Sequence, residues 1–341
     1  MTELFLLSFA DHLADPVAGG RVTQAQRLGL VLDQAVLAEE VGFSGFAVGE
    51  HHFSDYLVSA PEIVLAMIAA RTSRLTLSTA VTLLGLDDPV RVAERFGLLD
   101  QLSAGRAELV IARGVPSTRT WSAFGVDEHT VRQRTAEHLE LLLSLLTEEK
   151  VSWTGPSRAP LDGVTVQPRP YRPVASRVWM GGGLSPISAD LAAYHALPFM
   201  LPSSLRSPQD HLSIMERYRL GMADRGAPAR VGLPIHAWVD EDGAVAWRRW
   251  RPYLQAYATF AASLRGTGPV PDAAALLAGP AVCGDPDHVA RRLADLVRAM
   301  GLDRLMVVMD IGGAPADRVL AAVELFGRRV LPILSDLLAT D

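Results

Sequence analysis

The stretch VGEHHFSDY, residues 48–56, follows the apolar run GFAV and sets a carboxylate, two adjacent imidazoles and two aromatic rings side by side. Imidazoles placed there can bind a metal, hold a phosphate, move a proton or simply fill space. Adjacent residues on an extended strand point to opposite faces, so His51 and His52 cannot share a ligand while the strand continues. No HExxH pattern and no obvious third ligand accompany them, so a metal is not expected. One imidazole should enter a site while the other packs or orients the loop. The inward one, titrating near neutrality, suits proton transfer. The alternative is that both are hydrogen-bonded loop residues.

A second element that could do chemistry is Gly181-Gly182-Gly183-Leu184-Ser185-Pro186. Glycines let a backbone approach an anion closely, and the first turn of a following helix offers free N–H groups at the positive end of a dipole. A phosphate fits such a turn; so does a plain strand-to-helix connection that needs positive φ. Arg113, after the apolar run AELVIA, could pair with that phosphate in a bidentate manner or with a carboxylate such as Asp127.

The elements that must position these groups alternate along the chain. Apolar runs predict strands over residues 4–9, 45–50, 75–83, 107–112, 177–182, 197–201, 231–239 and 303–310. Helical spacing predicts helices over 24–41, 61–71 (with Ser59 as cap), 89–102 and 130–149, then from 186, and over 208–224, 244–264, 286–300 and 317–338. Pro234 is a blemish in the seventh strand and implies a bulge or loose edge. Residues 153–176 are rich in Pro and Gly and read as an irregular excursion with a hairpin near 164–167. Residues 240–284 read as an insertion whose loop, 266–280, could act as a lid. Strand–helix alternation denotes a parallel sheet covered by helices, and eight such units match a single (β/α)8 TIM barrel over residues 1–341. A doubly wound open sheet would call for fewer strands or a linker to a second domain.

In a barrel, chemistry sits at the C-terminal ends of the strands. Those ends deliver Ser8, Asp11 and His12; Glu50, His51 and His52; Ser78, Thr79 and Thr82; Arg113 and Gly114; the glycine turn; and Asp310 and Gly312. Helical spacing also makes a stripe of Trp247, Trp250, Tyr253, Tyr257 and Phe260, which would pack against the barrel or wall a substrate pocket. Met180, Met306 and Met309 read as core, and Cys283 as an inert thiol.

Bulk properties narrow the classes of function. Net charge is −6 over 341 residues with no basic tract, which argues against a nucleic-acid partner. The single cysteine excludes an intrachain disulfide and a thiolate-rich metal site. No apolar run reaches the roughly 18 residues of a membrane span, and the first residues read as a strand rather than a signal peptide, so a cytoplasmic protein is expected.

The segments GFAVGEHHF and SAPEIVLAMIAARTSRLTLSTAVTLLGLDDPVRVAERFGLLDQLSAGRAELVIARG resemble the bacterial luciferase-like flavin monooxygenases, as do AFGV, VWMGGGLSP and VCGDPDHVARRL. The likeness covers most of the chain and is most specific between Glu50 and Gly114. It implies a (β/α)8 barrel, with His51 as the catalytic base near the flavin. It puts a non-prolyl cis peptide against the isoalloxazine at Thr79–Ala80, with Ser78 beside it. It implies that Arg113, Gly181, Gly182, Gly183, Leu184 and Ser185 hold the FMN phosphate. Ala112 stands where luciferase has a cysteine, which removes one hallmark of light emission. The resemblance further implies a two-component monooxygenase: a separate reductase supplies reduced FMN, and oxygen reaches a small, mostly apolar substrate through a C4a-(hydro)peroxyflavin. It also implies a homodimer formed through the helices over 61–71 and 89–102. Competing readings are a deazaflavin-dependent oxidoreductase that transfers hydride, and a non-catalytic luciferase-like subunit.

Overall fold

The computed structural model describes residues 2–114, 118–174, 176–202, 205–265 and 269–339. Twelve strands are found among them: β1 (Glu3–Ser8), β2 (Gly45–Val48), β3 (Thr76–Thr79), β4 (Thr82–Leu83), β5 (Ala107–Ala112), β6 (Val151–Gly155), β7 (Arg158–Val164), β8 (Val178–Gly181), β9 (Phe199–Met200), β10 (Val231–Val239), β11 (Ala281–Gly284) and β12 (Arg304–Val308). Strands β1, β2, β3, β5, β8, β9, β10 and β12 pair in parallel, and the β9–β10 pairing closes the ring. The result is the eight-stranded (β/α)8 barrel read from the alternation. Strands walled by helices are buried on both faces, which is why they read as continuous apolar runs rather than alternating ones; all residues of β2, β5 and β12 are buried.

Helix termini follow local chemistry. Thr23 and Gln26 form a reciprocal capping box at the start of helix Gln24–Val41, and Gly42 ends it at φ 98°. Asp285 caps helix Pro286–Met300, and Gly301 closes it at φ 58°. Helix Pro61–Ala69 is capped by Ala60 without a side-chain bond, not by Ser59; Pro61 in the first turn leaves fewer N–H groups to satisfy.

The barrel floor, at the N-terminal ends of the strands, is closed by charge. Arg304 is fully buried with its guanidinium 4.0 Å from the Phe5 ring centroid and 4.3 Å from that of Trp179. It bonds Glu108 Oε2 at 2.5 Å and Glu3 Oε2 at 2.6 Å. Conserving this plug serves stability rather than chemistry, because active sites of such barrels lie at the opposite face.

Several expected boundaries move. The third strand is two pieces, β3 and β4, separated by a non-prolyl cis bond at Ala80–Val81. The hairpin of the excursion is β6–β7, so it turns before residue 158 rather than near 164–167. The segment 266–280 includes a helix, Ala273–Leu277, capped by Asp272; residues 266–268 lie outside the described ones. Pro234 causes no bulge. It pairs with Met306 of β12, while on the other side β10 has partners only at Val231 and Gly232 and again from His236. Pro234 sits in that gap, where a missing N–H costs no ladder bond.

The insertion between β10 and β12 supplies helix Gly243–Arg265, which crosses the mouth. Gly312, after β12, has φ 71°, and a Cβ there would collide with the Tyr253 carbonyl of that helix. Gly312→Ala therefore combines positive-φ strain with a backbone clash, an expected loss of about 3 kcal/mol or more in urea unfolding. An unchanged midpoint would mean that the helix is not seated there. Among the described residues no helix is long and apolar enough to cross a membrane.

Candidate active site

Strand β2 ends at Val48, and the small size of the next residue, Gly49, is required. A Cβ there would meet the Phe9 ring at 2.7 Å and lie 3.3 Å from both the Ala80 carbonyl and His51 Cε1. The His51 imidazole and the segment at Ala80–Val81 thus border one spot. His51 stacks on Tyr56 with ring centroids 3.8 Å apart and planes at 25°, and Phe9 meets it edge-on at 5.7 Å. Its Nδ1 is buried with no hydrogen-bond partner. Burial first, then repulsion from His52, lowers its pKa to about 4. The ring is neutral at pH 7, so it can accept a proton there but holds none to give. His52 engages different partners, in the loop that follows β2. Its Nε2 lies 2.8 Å from Glu50 Oε1, while Glu50 Oε2 accepts from the Leu83 N–H at 3.0 Å. Glu50 and His52 therefore tie the loop to β4.

Parallel pairing of β5 with β8 brings the second set together. A Cβ on Gly181 would sit 3.1 Å from Val81 Cγ1 and 3.3 Å from Ala112 Cβ, so the cis segment, the end of β5 and the glycine turn are contiguous. Gly182 has no room for a side chain against Ser188 and Phe199, whereas Gly183 faces open space. Ser185 caps helix Pro186–Tyr194 by backbone geometry only; its side chain makes no capping bond, so the first N–H groups stay available. Arg113 follows β5. Among the described residues it makes no ion pair; its guanidinium lies 5.9 Å from the Trp121 ring centroid. Asp127, the alternative partner, instead accepts from the His129 N–H at 2.8 Å. Burial, then repulsion from Arg132, lowers the Arg113 pKa from its ordinary value. A half-buried cation crowded by another cation, beside an open helix N-terminus, fits a phosphate group.

Other predicted residues turn inward. Ser78 donates to the Thr79 carbonyl at 2.9 Å, and the Thr79 hydroxyl bridges to the backbone of Val110. Ser78 is thus engaged within β3 and only Thr79 joins β3 to β5, which leaves the backbone at Ala80–Val81 as the group that could face a ligand. The cis bond is thus one residue beyond the Thr79–Ala80 position implied by the resemblance. Ser8, Asp11 and Asp310 converge, but on one another. Arg27 bonds Asp310 Oδ2 at 2.8 Å and Asp11 Oδ1 at 3.3 Å; Ser8 and Gln34 also donate to Asp310, and the Gly312 N–H to Asp11. Burial raises Asp11 to a pKa of about 6 despite Arg27. This network locks the ends of β1 and β12. His12 is likewise spent on the Val22 carbonyl at 2.7 Å. Cys283 is pushed up to about 12 by burial and then Asp240, which makes it a poor nucleophile.

His236, which the sequence reading did not single out, completes the mouth together with aromatic residues that it named only as part of a motif or a stripe. Tyr56 and Tyr257 share a hydroxyl–hydroxyl bond of 3.1 Å, and His236 of β10 lies 5.1 Å from the Tyr257 ring. The aromatic stripe was the one signal for Tyr257. It proves to be both packing and wall: Trp250 stacks on Trp238, while Phe260 reaches Tyr56 at 4.9 Å. His236 is fully buried with Nε2 unpartnered, and burial lowers its pKa to about 4. Because the unfolded chain takes up this proton near pH 6.5, the histidine subtracts stability as pH falls from there towards 4. His236→Leu should therefore abolish about 2 kcal/mol of the stability lost between pH 7 and pH 5. Urea unfolding of both proteins at the two pH values checks this; equal losses would show that His236 is not held neutral.

An arginine beside an open glycine turn and a neutral imidazole at the same end of the barrel form an arrangement that could hold a phosphorylated cofactor. The chain belongs to the luciferase-like monooxygenase family, which it matches over residues 2–304. A 4-hydroxyprotoasukamycin monooxygenase of Streptomyces nodosus subsp. asukaensis is 29% identical over 326 residues, 88% of this chain and 85% of that protein. The monooxygenase RslO1 from Streptomyces bottropensis superposes with a TM-score of 0.87 at 24% identity, over 97% of this chain and 99% of its own. The oxygenating constituent of 3,6-diketocamphane monooxygenase from Pseudomonas putida, solved with FMN, gives 0.76 at 21% identity over 98% and 99%. An F420-dependent secondary alcohol dehydrogenase gives 0.72 at 17% identity over 98% and 99%.

Proposed function

We propose that the protein is an FMN-dependent monooxygenase that receives reduced FMN from a separate reductase and uses oxygen to oxygenate a small, mostly apolar organic substrate in the cytoplasm. The observation that carries this reading is Arg113, which has no ionic partner among the described residues and follows β5, the strand paired with the one that runs into the open Gly181–Ser185 turn. Arg113, Gly183 and Ser185 would hold the 5′-phosphate, and Ala80–Val81 would border the ring system. FMN supplies the redox chemistry that activates oxygen. His51, neutral and buried, accepts a proton at the edge of the ring system. Phe9, Tyr56, Tyr257 and Phe260 keep water from the reacting atoms, which limits unproductive release of peroxide. The exposed apolar residues Ile63, Met67, Leu98 and Leu102, on two helices packed against each other, support assembly as a homodimer.

The test is oxygen-isotope transfer. The protein, with chemically reduced FMN, is given decanal, a cyclic ketone and a substituted phenol under labelled oxygen gas. Mass spectrometry should find one labelled atom in the product of the substrate used. Oxidation or reduction without label, supported by a reduced deazaflavin, would replace this reading with hydride transfer.

A further inference from the structure

We propose that Tyr257 is a positioning residue for His51, acting through the Tyr56 hydroxyl, so that helix Gly243–Arg265 is part of the active site and not only a cover. The inference rests on the role of His51 given above, but its geometry stands without it.

Imidazoles that work in catalysis are ordinarily aimed by a hydrogen bond on the second ring nitrogen. Two histidines near this mouth follow that rule, His52 held by Glu50 and His12 by the Val22 carbonyl, whereas His236 is buried with Nε2 unpartnered. His51 differs from the first two. Among the described residues its ring has no hydrogen bond; only its backbone N–H is engaged, with the Val58 carbonyl at 2.9 Å. What fixes the ring is aromatic contact. Tyr56 stacks on it and Phe9 meets its edge. Contacts of this kind contribute about 0.5–1.5 kcal/mol each and tolerate sliding unless the partner ring is itself fixed.

Tyr56 is fixed from two directions. Its backbone is held in the β2 loop by the bridge to Asp11 and by the flanking bonds His12 N–H to Asp55 carbonyl, 2.7 Å, and Leu57 N–H to Ala10 carbonyl, 3.1 Å. Its ring tip is held by Tyr257, and Phe260 packs on the ring. Both residues come from helix Gly243–Arg265, whose own seat is set by Gly312 against Tyr253 and by Trp250 stacked on Trp238. The order of support is therefore helix, Tyr257, Tyr56, His51. A space-filling role would need only the two rings. The buried hydroxyl bond adds direction, which is what a stacked imidazole without a hydrogen bond lacks.

Tyr257→Phe removes one oxygen and keeps the ring. Its readout needs no flavin: the His51 ring protons, assigned by their loss in His51→Gln, should resonate upfield in the parent because the ring lies on the face of Tyr56. In Tyr257→Phe they should move downfield, and diethyl pyrocarbonate should modify the His51 peptide severalfold faster relative to the exposed His129 and His288. Tyr56→Phe, which cuts the same bond from the other side, should move both signals in the same direction, and the double variant should shift them by less than the sum of the two single variants. Thr259→Ala, exposed on the same helix, should change neither signal. With reduced FMN and oxygen, turnover in Tyr257→Phe should fall about tenfold or more with the flavin KM unchanged, since small misplacement of a reacting group is costly. If the His51 resonances and modification rate stay at parental values in both folded variants, the proposal is wrong. A protein that shows the His51 shifts yet binds no FMN would overturn the function proposed above and leave the positioning intact.

Discussion

Arg113→Ala is expected to weaken FMN binding by about 2–4 kcal/mol, a factor of roughly 30 to 1,000 in Kd, while riboflavin binding changes by less than about threefold. The reasoning is local. Arg113 leaves β5 beside the turn after β8, lacks an ion-pair partner among the described residues, and lies close enough to Arg132 to feel its charge. Arg132 repels Arg113, so an anion arriving at Arg113 would relieve that repulsion. The phosphate is the only part of FMN that riboflavin lacks, so the paired titration isolates this contact. Arg113→Lys should recover part of the affinity, because lysine restores charge but not the bidentate fork. Anaerobic titration of reduced FMN, followed by fluorescence, checks the numbers. Equal losses for FMN and riboflavin would move Arg113 to a structural role, with Trp121 as its partner.

The second large effect is expected at His51. His51→Asn should lower oxygenation by about 10²–10⁴-fold, with reduced-FMN affinity within a factor of about three and more oxygen lost as peroxide. Burial keeps the imidazole neutral well below pH 7, so it is ready to take a proton throughout the physiological range. The rate should therefore hold steady as pH falls from 7 to about 5, and decline as the ring gains a proton near pH 4. Product yield and peroxide, measured together under single-turnover conditions, test both statements. Unchanged product yield in the variant would remove His51 from the chemistry.

Much of this was legible in the residues. Strand–helix alternation gave the barrel, and β5 and β10 fall on the apolar runs that predicted them, because strands buried on both faces leave unbroken hydrophobic stretches. The different partners of His51 and His52 match the sequence reading, although both lie beyond the end of β2, so strand alternation is not what separates them. Arg113 and the glycine turn could be paired before any coordinates, since both sit at strand ends that a barrel must bring to one face. Other features depend on tertiary context. The bond between Tyr56 and Tyr257 spans 201 positions, and no local pattern specifies it. The same holds for Asp11 and Asp310: their positions at strand ends suggested ligand contacts, but Arg27, on the first helix, engages both. The resemblance places Ser78 and Thr79 beside the cofactor, and the structure gives the Ser78 hydroxyl to the next carbonyl of its own strand and the Thr79 hydroxyl to Val110 of β5. Pro234 was read as damage to a strand because pairing gaps cannot be seen in sequence.

The helix over the mouth joins the fold to the function. Its aromatic stripe packs the insertion onto the barrel through Trp250 and Tyr253, and the same period brings Tyr257 and Phe260 to the His51 loop. A single helical pattern therefore both seats this helix on the barrel and brings Tyr257 and Phe260 into contact with Tyr56.

The central claim is that this mouth holds reduced FMN and turns it towards oxygen. The most direct measurement is anaerobic titration with reduced FMN and with the reduced deazaflavin cofactor, side by side, followed by admission of oxygen and recording of the absorbance spectrum. Tight, phosphate-dependent binding of reduced FMN, and an oxygen-dependent spectrum that persists before oxidised flavin returns, is the predicted result. Preference for the deazaflavin with no response to oxygen, or binding of neither, would contradict it.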